Sequence, residues 1–233
     1  MRAGKADVVL AVFATMALFL SILLLTFQVL LAPPLTRAFA DRCVNDAASP
    51  ATHEQLVDAA CATLAYCTGD PDANIPYGTD ESTSYTPEVM GHLDDVTGFF
   101  SGMRLAGLLS AIALAALLLL LWWSCKRHGA RGLMKRLLAR IMLIAPCCVL
   151  GVIVVAGLAA VIDFNALFNL LHSFFFSSGS WLFPYDSLLI CALPEEFWMS
   201  MGLFWLGEIV LVCIALIVVS IVLRVRLRRA AEQ

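Results

Sequence analysis

Four histidines are the side chains of this 233-residue chain best matched to moving protons near neutral pH, because imidazole titrates at about 6.5. His128 sits among lysines and arginines, and His53 opens a polar stretch; both read as solvated. His92 and His172 differ, since each lies in an aromatic-rich stretch just outside an apolar run. A lone histidine in such a place usually makes a structural hydrogen bond. Two of them in separate connecting segments suggest a shared site. One imidazole could take a proton while the other, protonated, stabilises an oxyanion or protonates a leaving alkoxide. Glu88 and Asp95 stand four before and three after His92, so all three share a helix face. Either carboxylate could hold the His92 tautomer or raise its pKa; the plainer reading is a solvated acidic face.

Aromatic side chains cluster around both histidines: Phe99, Phe100, Phe175, Phe176, Trp181 and Trp198, with Phe174, Phe183 and Phe197 nearby. They suit an interfacial aromatic belt or a pocket wall for lipid chains. Other chemistries lack their residues. There is no GxSxG, no phosphate-cradling glycine loop and no GxGxxG. His53 and Glu54 begin a zinc-protease-like pattern, but Val57 occupies the place of its second histidine. Neither a metal nor a cofactor is called for, and no basic run suggests nucleic acid.

The elements that must position these residues are membrane helices. The chain is 61% hydrophobic and 14% charged, whereas soluble domains carry roughly 25% charged residues. Four stretches reach the about 20 apolar residues that a crossing needs: 8–32, 105–124, 141–162 and 198–223. Each must be helical, because backbone polar groups have no other partner in hydrocarbon. The expected class is an all-α membrane protein of four transmembrane helices with a small extracytoplasmic cap.

Twelve of the fifteen Lys and Arg residues fall in 1–7, 125–140 and 224–233, and fifteen of the eighteen acids fall in 33–104 and 163–197. The positive-inside rule then puts both termini and the basic loop in the cytoplasm, with the two acidic segments outside. Ala38, Phe39 and Ala40 resemble a signal-peptidase site, but the apolar run before them exceeds the usual 7–15-residue signal core.

In segment 33–104, residues 51–66 read as a helix from Leu56, Val57, Ala60 and Leu64. Residues 70–85 read as loop or short strand. Thr86 and Pro87 then start a helix carrying His92 towards the second span. In segment 163–197, residues 163–176 read as an amphipathic helix with Asn165, Asn169, His172 and Ser173 on one stripe, ended by residues 177–180. Residues 141–176 as one straight helix would be about 54 Å long. That exceeds a bilayer, so this helix either projects outward or bends near Asp163.

Of eight cysteines, Cys125, Cys147, Cys148 and Cys213 read as apolar packing residues. Cys43, Cys61, Cys67 and Cys191 fall in the outer segments, where one or two disulfides are expected to staple the cap. Four cysteines allow three pairings, and free thiols or metal ligands are the alternatives; no CxxC occurs. Glu208, the lone charge of the fourth span, is expected to form an internal hydrogen bond.

Two blocks carry a resemblance. One runs from Glu88 through His92 to Val96. The other runs from His172 to Phe175, Ser180 to Phe183, Leu188–Leu189 and Leu193 to Trp198. With four spans and two outer segments, the chain resembles the bacterial lipoprotein intramolecular transacylase family; the Cys43–Cys67 region departs from its pattern. The resemblance implies a four-helix bundle with a cap, working on diacylglyceryl-modified lipoproteins among membrane lipids. It implies transfer of the sn-2 acyl chain to the α-amine of the lipoprotein's own N-terminal cysteine, giving the lyso form. It also implies catalysis by His92 and His172 without metal, coenzyme or second lipid. The competing expectation is a non-enzymatic four-span scaffold with a disulfide-braced cap and its histidines apart.

Overall fold

The computed structural model describes residues 4–176 and 179–232; Arg2, Ser177, Ser178 and Gln233 lie outside them. The described residues form eight helices and no strand: α1 Lys5–Leu30, α2 Pro33–Cys43, α3 His53–Cys67, α4 Pro87–Arg127, α5 Arg131–Ile162, α6 Phe164–Phe175, α7 Leu188–Ala192 and α8 Glu195–Glu232. Four of these, α1, α4, α5 and α8, are long and apolar enough to cross a membrane.

The helices depart from the expected segments in ways the residues explain. The first apolar run breaks at residues 31–32, because Pro33 and Pro34 cannot continue a helix. They instead open α2, where proline suits the first turn. Ala40 is fully buried on α2, so the signal-peptidase-like triplet is packed helix. The expected helix around His92 and the second span are one 41-residue element. At about 60 Å, α4 is twice the about 30 Å of hydrocarbon, so the apolar 105–124 suffices for a crossing and His92 lies on the turns before it. The basic loop 125–140 is mostly helix, reduced to a turn at Gly129 with φ 63°, the left-handed conformation that glycine supplies at a helix end. The apolar 141–162 ends at Asp163, whose extended backbone (φ −159°) and side chain cap α6 through the Ala166 N–H. The helix therefore bends there.

The chain divides into two compact units. One comprises residues up to Thr26, Leu105–Leu158 and from Leu206 on; the other comprises Phe27–Arg104 and Ala159–Trp205. In the first, Leu121, Cys125, Leu137 and Ile141 form a small core with Ala14, and Ser21 and Ser110 share a 3.0 Å hydrogen bond. Much of its outward surface is Val, Leu and Ile, as lipid contact requires. The expected bond of Glu208 is not seen at Oε2, which is buried without a partner among the described residues.

The second unit holds the site. Its α3 begins with a capping box between Thr52 and Gln55 and packs against α2 and α7. Leu56, Ala60 and Leu64 form the buried stripe, closed by Val89 and Leu93 of α4 and by Leu189 and Phe197. Tyr85, fully buried, shares a 2.7 Å hydrogen bond with Thr63. The region 70–85 is loop with one Tyr77–Tyr85 bridge.

Candidate active site

His92 rides one helical turn after Val89, whose burial with Leu93 fixes this part of α4 against the core. His172 lies on α6, where half-buried residues recur at Phe164, Phe168 and His172, four apart, with Leu167 beside them. That stripe is aromatic; Asn165, Asn169 and Ser173 are exposed beside it. The two imidazole rings come together with centroids 6.4 Å apart and planes tilted by 31°. Phe176 touches both, at 5.3 Å from His92 and 5.4 Å from His172. Phe168 stacks on His172 at 3.8 Å, and Phe183 flanks His92 at 5.8 Å.

Both rings line one cavity of about 180 Å³, walled by Phe99, Phe100, Phe176, Trp181 and Trp198 and floored by Leu64 and Leu93. Five of the six expected pocket aromatics therefore meet here. Phe175 does not line the cavity; it packs on Phe99 from outside at 4.7 Å. Phe183, noted nearby in the sequence, also lines the cavity, and Phe168 is a cavity residue that the sequence reading passed over. The spacing of Phe168, His172 and Phe176, four residues apart along α6, was the available signal.

The two imidazoles differ electrically. His172 Nδ1 lies 2.9 Å from the Phe168 carbonyl. A carbonyl only accepts, so Nδ1 carries the proton and Nε2 of the neutral ring presents its lone pair. Burial lowers the His172 pKa, offset in part by that carbonyl. His92 has a buried Nδ1 with no partner. Its pKa is lowered to about 4, first by burial and then by the neighbouring His172, with Asp95 acting weakly in the opposite direction. The expected support by carboxylates is not what forms: among the described residues no hydrogen bond or ion pair joins Glu88 or Asp95 to His92, and both are exposed. Backbone hydrogen bonding at the start of α4 holds the Glu88 carboxyl below its ordinary value.

The cap carries no disulfide. Cys43, Cys61, Cys67 and Cys191 are free thiols, because each faces a different neighbour. Cys43 meets Ser200 at 3.7 Å, Cys67 the Leu93 carbonyl at 3.9 Å and Cys191 the Tyr185 carbonyl at 3.6 Å, while Cys61 lies beside Arg37. Buried apolar packing replaces the expected staples. Among the described residues no cluster of three His, Cys, Asp or Glu is arranged to hold a metal.

The sequence profile of the lipoprotein intramolecular transacylase family, Lit, matches residues 11–198. The chain belongs to the lipoprotein intramolecular transacylase family. It is accordingly an acyltransferase, and its four long apolar helices make it a multi-pass membrane protein. No protein of curated function matches the chain. Among solved structures it is similar to the membrane-integral Lit of Bacillus cereus, with 16% identity over 99% of both chains and a TM-score of 0.66. It is also similar to two variants of that protein in which one histidine is replaced. The arginine variant has a TM-score of 0.70 at 16% identity over 97% of this chain and 96% of that one. The alanine variant has 0.63 at 16% identity over 98% and 95%. At that identity the likeness shows a shared fold.

Proposed function

We propose that this transacylase moves the sn-2 acyl chain of a diacylglyceryl-modified lipoprotein to the α-amine of the same lipoprotein's N-terminal cysteine. The amine nitrogen attacks the ester carbonyl and loses one proton. The bond from carbonyl carbon to glycerol oxygen breaks, and that oxygen gains a proton. No water and no protein nucleophile enter, and the product is an N-acyl, S-monoacylglyceryl cysteine.

One observation carries this reading: two imidazoles 6.4 Å apart on the wall of one aromatic cavity. Two hydrogen bonds of about 3 Å, end to end, span about 6 Å, so one reacting group can touch both rings. His172, its Nδ1–H anchored on Phe168, offers Nε2 as the base that takes the amine proton and returns it to the glycerol oxygen. His92, held neutral by burial, acts as a neutral hydrogen-bond donor to the developing oxyanion. The aromatic wall keeps out water, whose attack would waste the ester. A cavity of about 180 Å³ is small beside the roughly 300–1,000 Å³ of sites that enclose whole ligands. It therefore takes the glyceryl-cysteine linkage, while the acyl tails lie along the apolar outer surface.

The charge distribution supports an orientation with both termini in the cytoplasm and the site on the outer face of the bacterial membrane. The test is mass spectrometry of a lipoprotein's N-terminal peptide after incubation with the protein in lipid. The acyl group is expected to move from glycerol to nitrogen, and His172→Ala is expected to slow this by about 10²–10⁴-fold. Full conversion by both His172→Ala and His92→Ala would end the proposal.

A further inference from the structure

The catalytic cavity has a neighbour of a different character. Phe168, Trp181, Ile190, Leu193 and Trp198 line it on one side, and the same five side chains line a second cavity of about 460 Å³. Beyond that shared wall the lining turns polar, with Asn45, Asn165, Tyr185, Glu195 and Glu196. Asn45 is built in: its backbone N–H donates to the Cys191 carbonyl at 2.9 Å, and its side-chain amide donates to the Tyr185 oxygen at 2.8 Å. Glu195 and Glu196 are exposed, and no ion pair holds either one among the described residues. Segments 27–104 and 159–205 contain only Arg37, Arg42 and Arg104 as permanent cations against fifteen acids, and Arg37 is engaged by Asp58 at 3.1 Å.

The substrate's connectivity demands such a place. Three groups leave the α-carbon of a lipidated N-terminal cysteine: the amine, the thioether arm and the carbonyl that continues as peptide. The first two must meet between the histidines. The third must leave that apolar cavity at once, since an extended chain advances only about 3.3–3.6 Å per residue. Its amide groups need polar partners, which neither lipid nor the aromatic wall supplies. The second cavity is the polar space across that wall.

The geometry points to the second cavity as the docking site for the two or three residues that follow the lipidated cysteine, with Glu195 and Glu196 favouring basic over acidic side chains there. This rests on the transacylase reading above. Asn45 and Asn165 offer amide groups to the peptide backbone, and the two carboxylates discriminate by charge.

The experiment uses the full-length protein in neutral-lipid vesicles with diacylglyceryl-cysteinyl peptides bearing Lys-Lys, Ser-Ser or Glu-Glu after the cysteine. Conversion is followed by mass spectrometry. The expected kcat/KM order is Lys, Ser, Glu, with about tenfold between the extremes, shrinking as salt is raised. The isosteric E195Q/E196Q variant should bring that ratio close to one, and E195K/E196K should invert it. Equal kcat/KM for all three peptides with the unaltered protein overturns the docking site and leaves the transacylase reading standing. Transfer to nitrogen in none of the peptides overturns both. A preference that survives in E195Q/E196Q removes the two glutamates from the proposal and so overturns it. If the double variant fails to fold, the single variants E195Q and E196Q take its place, each expected to lower the Lys-to-Glu ratio, and an unchanged ratio in both overturns the proposal.

Discussion

The two histidines stand on supports of opposite kind. The stretch of α4 around His92 is nailed into the core of its unit by Val89, Leu93 and Phe100. No residue of α6 is buried. Its Phe174 is 81% and its Leu170 64% exposed, and its hold on the site is a row of rings (His172 against Trp181, Phe175 against Phe99, Phe176 against His92) with one hydrogen bond from the Trp181 indole to Asn169. One imidazole is therefore positioned by protein packing. The other is positioned by ring contacts and by whatever apolar medium covers the outer face of α6. The site is assembled from a fixed half and a half whose apolar surface the protein alone leaves uncovered.

The sharpest way to break that contrast is to ask whether the halves also differ chemically. Asparagine can donate a hydrogen bond but is no base at neutral pH. His172→Asn is expected to be as inactive as His172→Ala, while His92→Asn should recover about tenfold or more over His92→Ala, as suits a donor to an oxyanion. Equal losses in all four variants, read from lipopeptide conversion, would erase the division of roles.

Truncating each support gives the next effect. Leu93→Ala, in the core, should cost about 2–5 kcal/mol of stability, seen as a lower Tm. Leu170→Ala, on the exposed face of α6, should stay within about 0.5 kcal/mol yet raise the dependence of activity on lipid. A Tm loss for Leu170→Ala comparable to that for Leu93→Ala would mean that α6 is packed as firmly as α4.

The smallest effect is on pH. Both imidazoles titrate below their ordinary value, so the acid limb of kcat/KM is expected below about 6.5. Because His92 binds its proton at about 4 in the folded chain and near 6.5 unfolded, the unfolded state takes up more protons in between. Stability should thus hold above about 6.5 and decline as the pH falls towards 4. An acid limb at or above 6.5 would mean that the pair is more hydrated than its cavity suggests.

Much of this was legible in the residues. Long uncharged runs such as 141–162 can only be helices in lipid, and His92 and His172 stood out by residue type and surroundings. The rest failed for physical reasons. α2 buries only Thr36 and Ala40, too few and too small to write an apolar stripe. α7 is five residues long, shorter than any period that could reveal it. The cysteines suggested staples because of their segments, whereas pairing is decided by which side chains face each other. Asn165, Asn169, His172 and Ser173 drew attention as one polar stripe of α6, but His172 lies on the half-buried stripe with Phe164 and Phe168, and the other three are exposed beside it. The carboxylates flanking His92 shared its face in projection, but tight packing of Val89 and Leu93 turns the ring inward and leaves the acids in solvent.

The narrowness of the catalytic cavity has a wider consequence. Under the proposed reaction, a chamber of about 180 Å³ encloses the ester linkage and leaves fatty-acid length, branching and unsaturation outside it. A cell that remodels its membrane with temperature changes those very features. On that proposal the enzyme would accept the altered lipoproteins without adjustment, because the part of the substrate that varies lies outside the cavity.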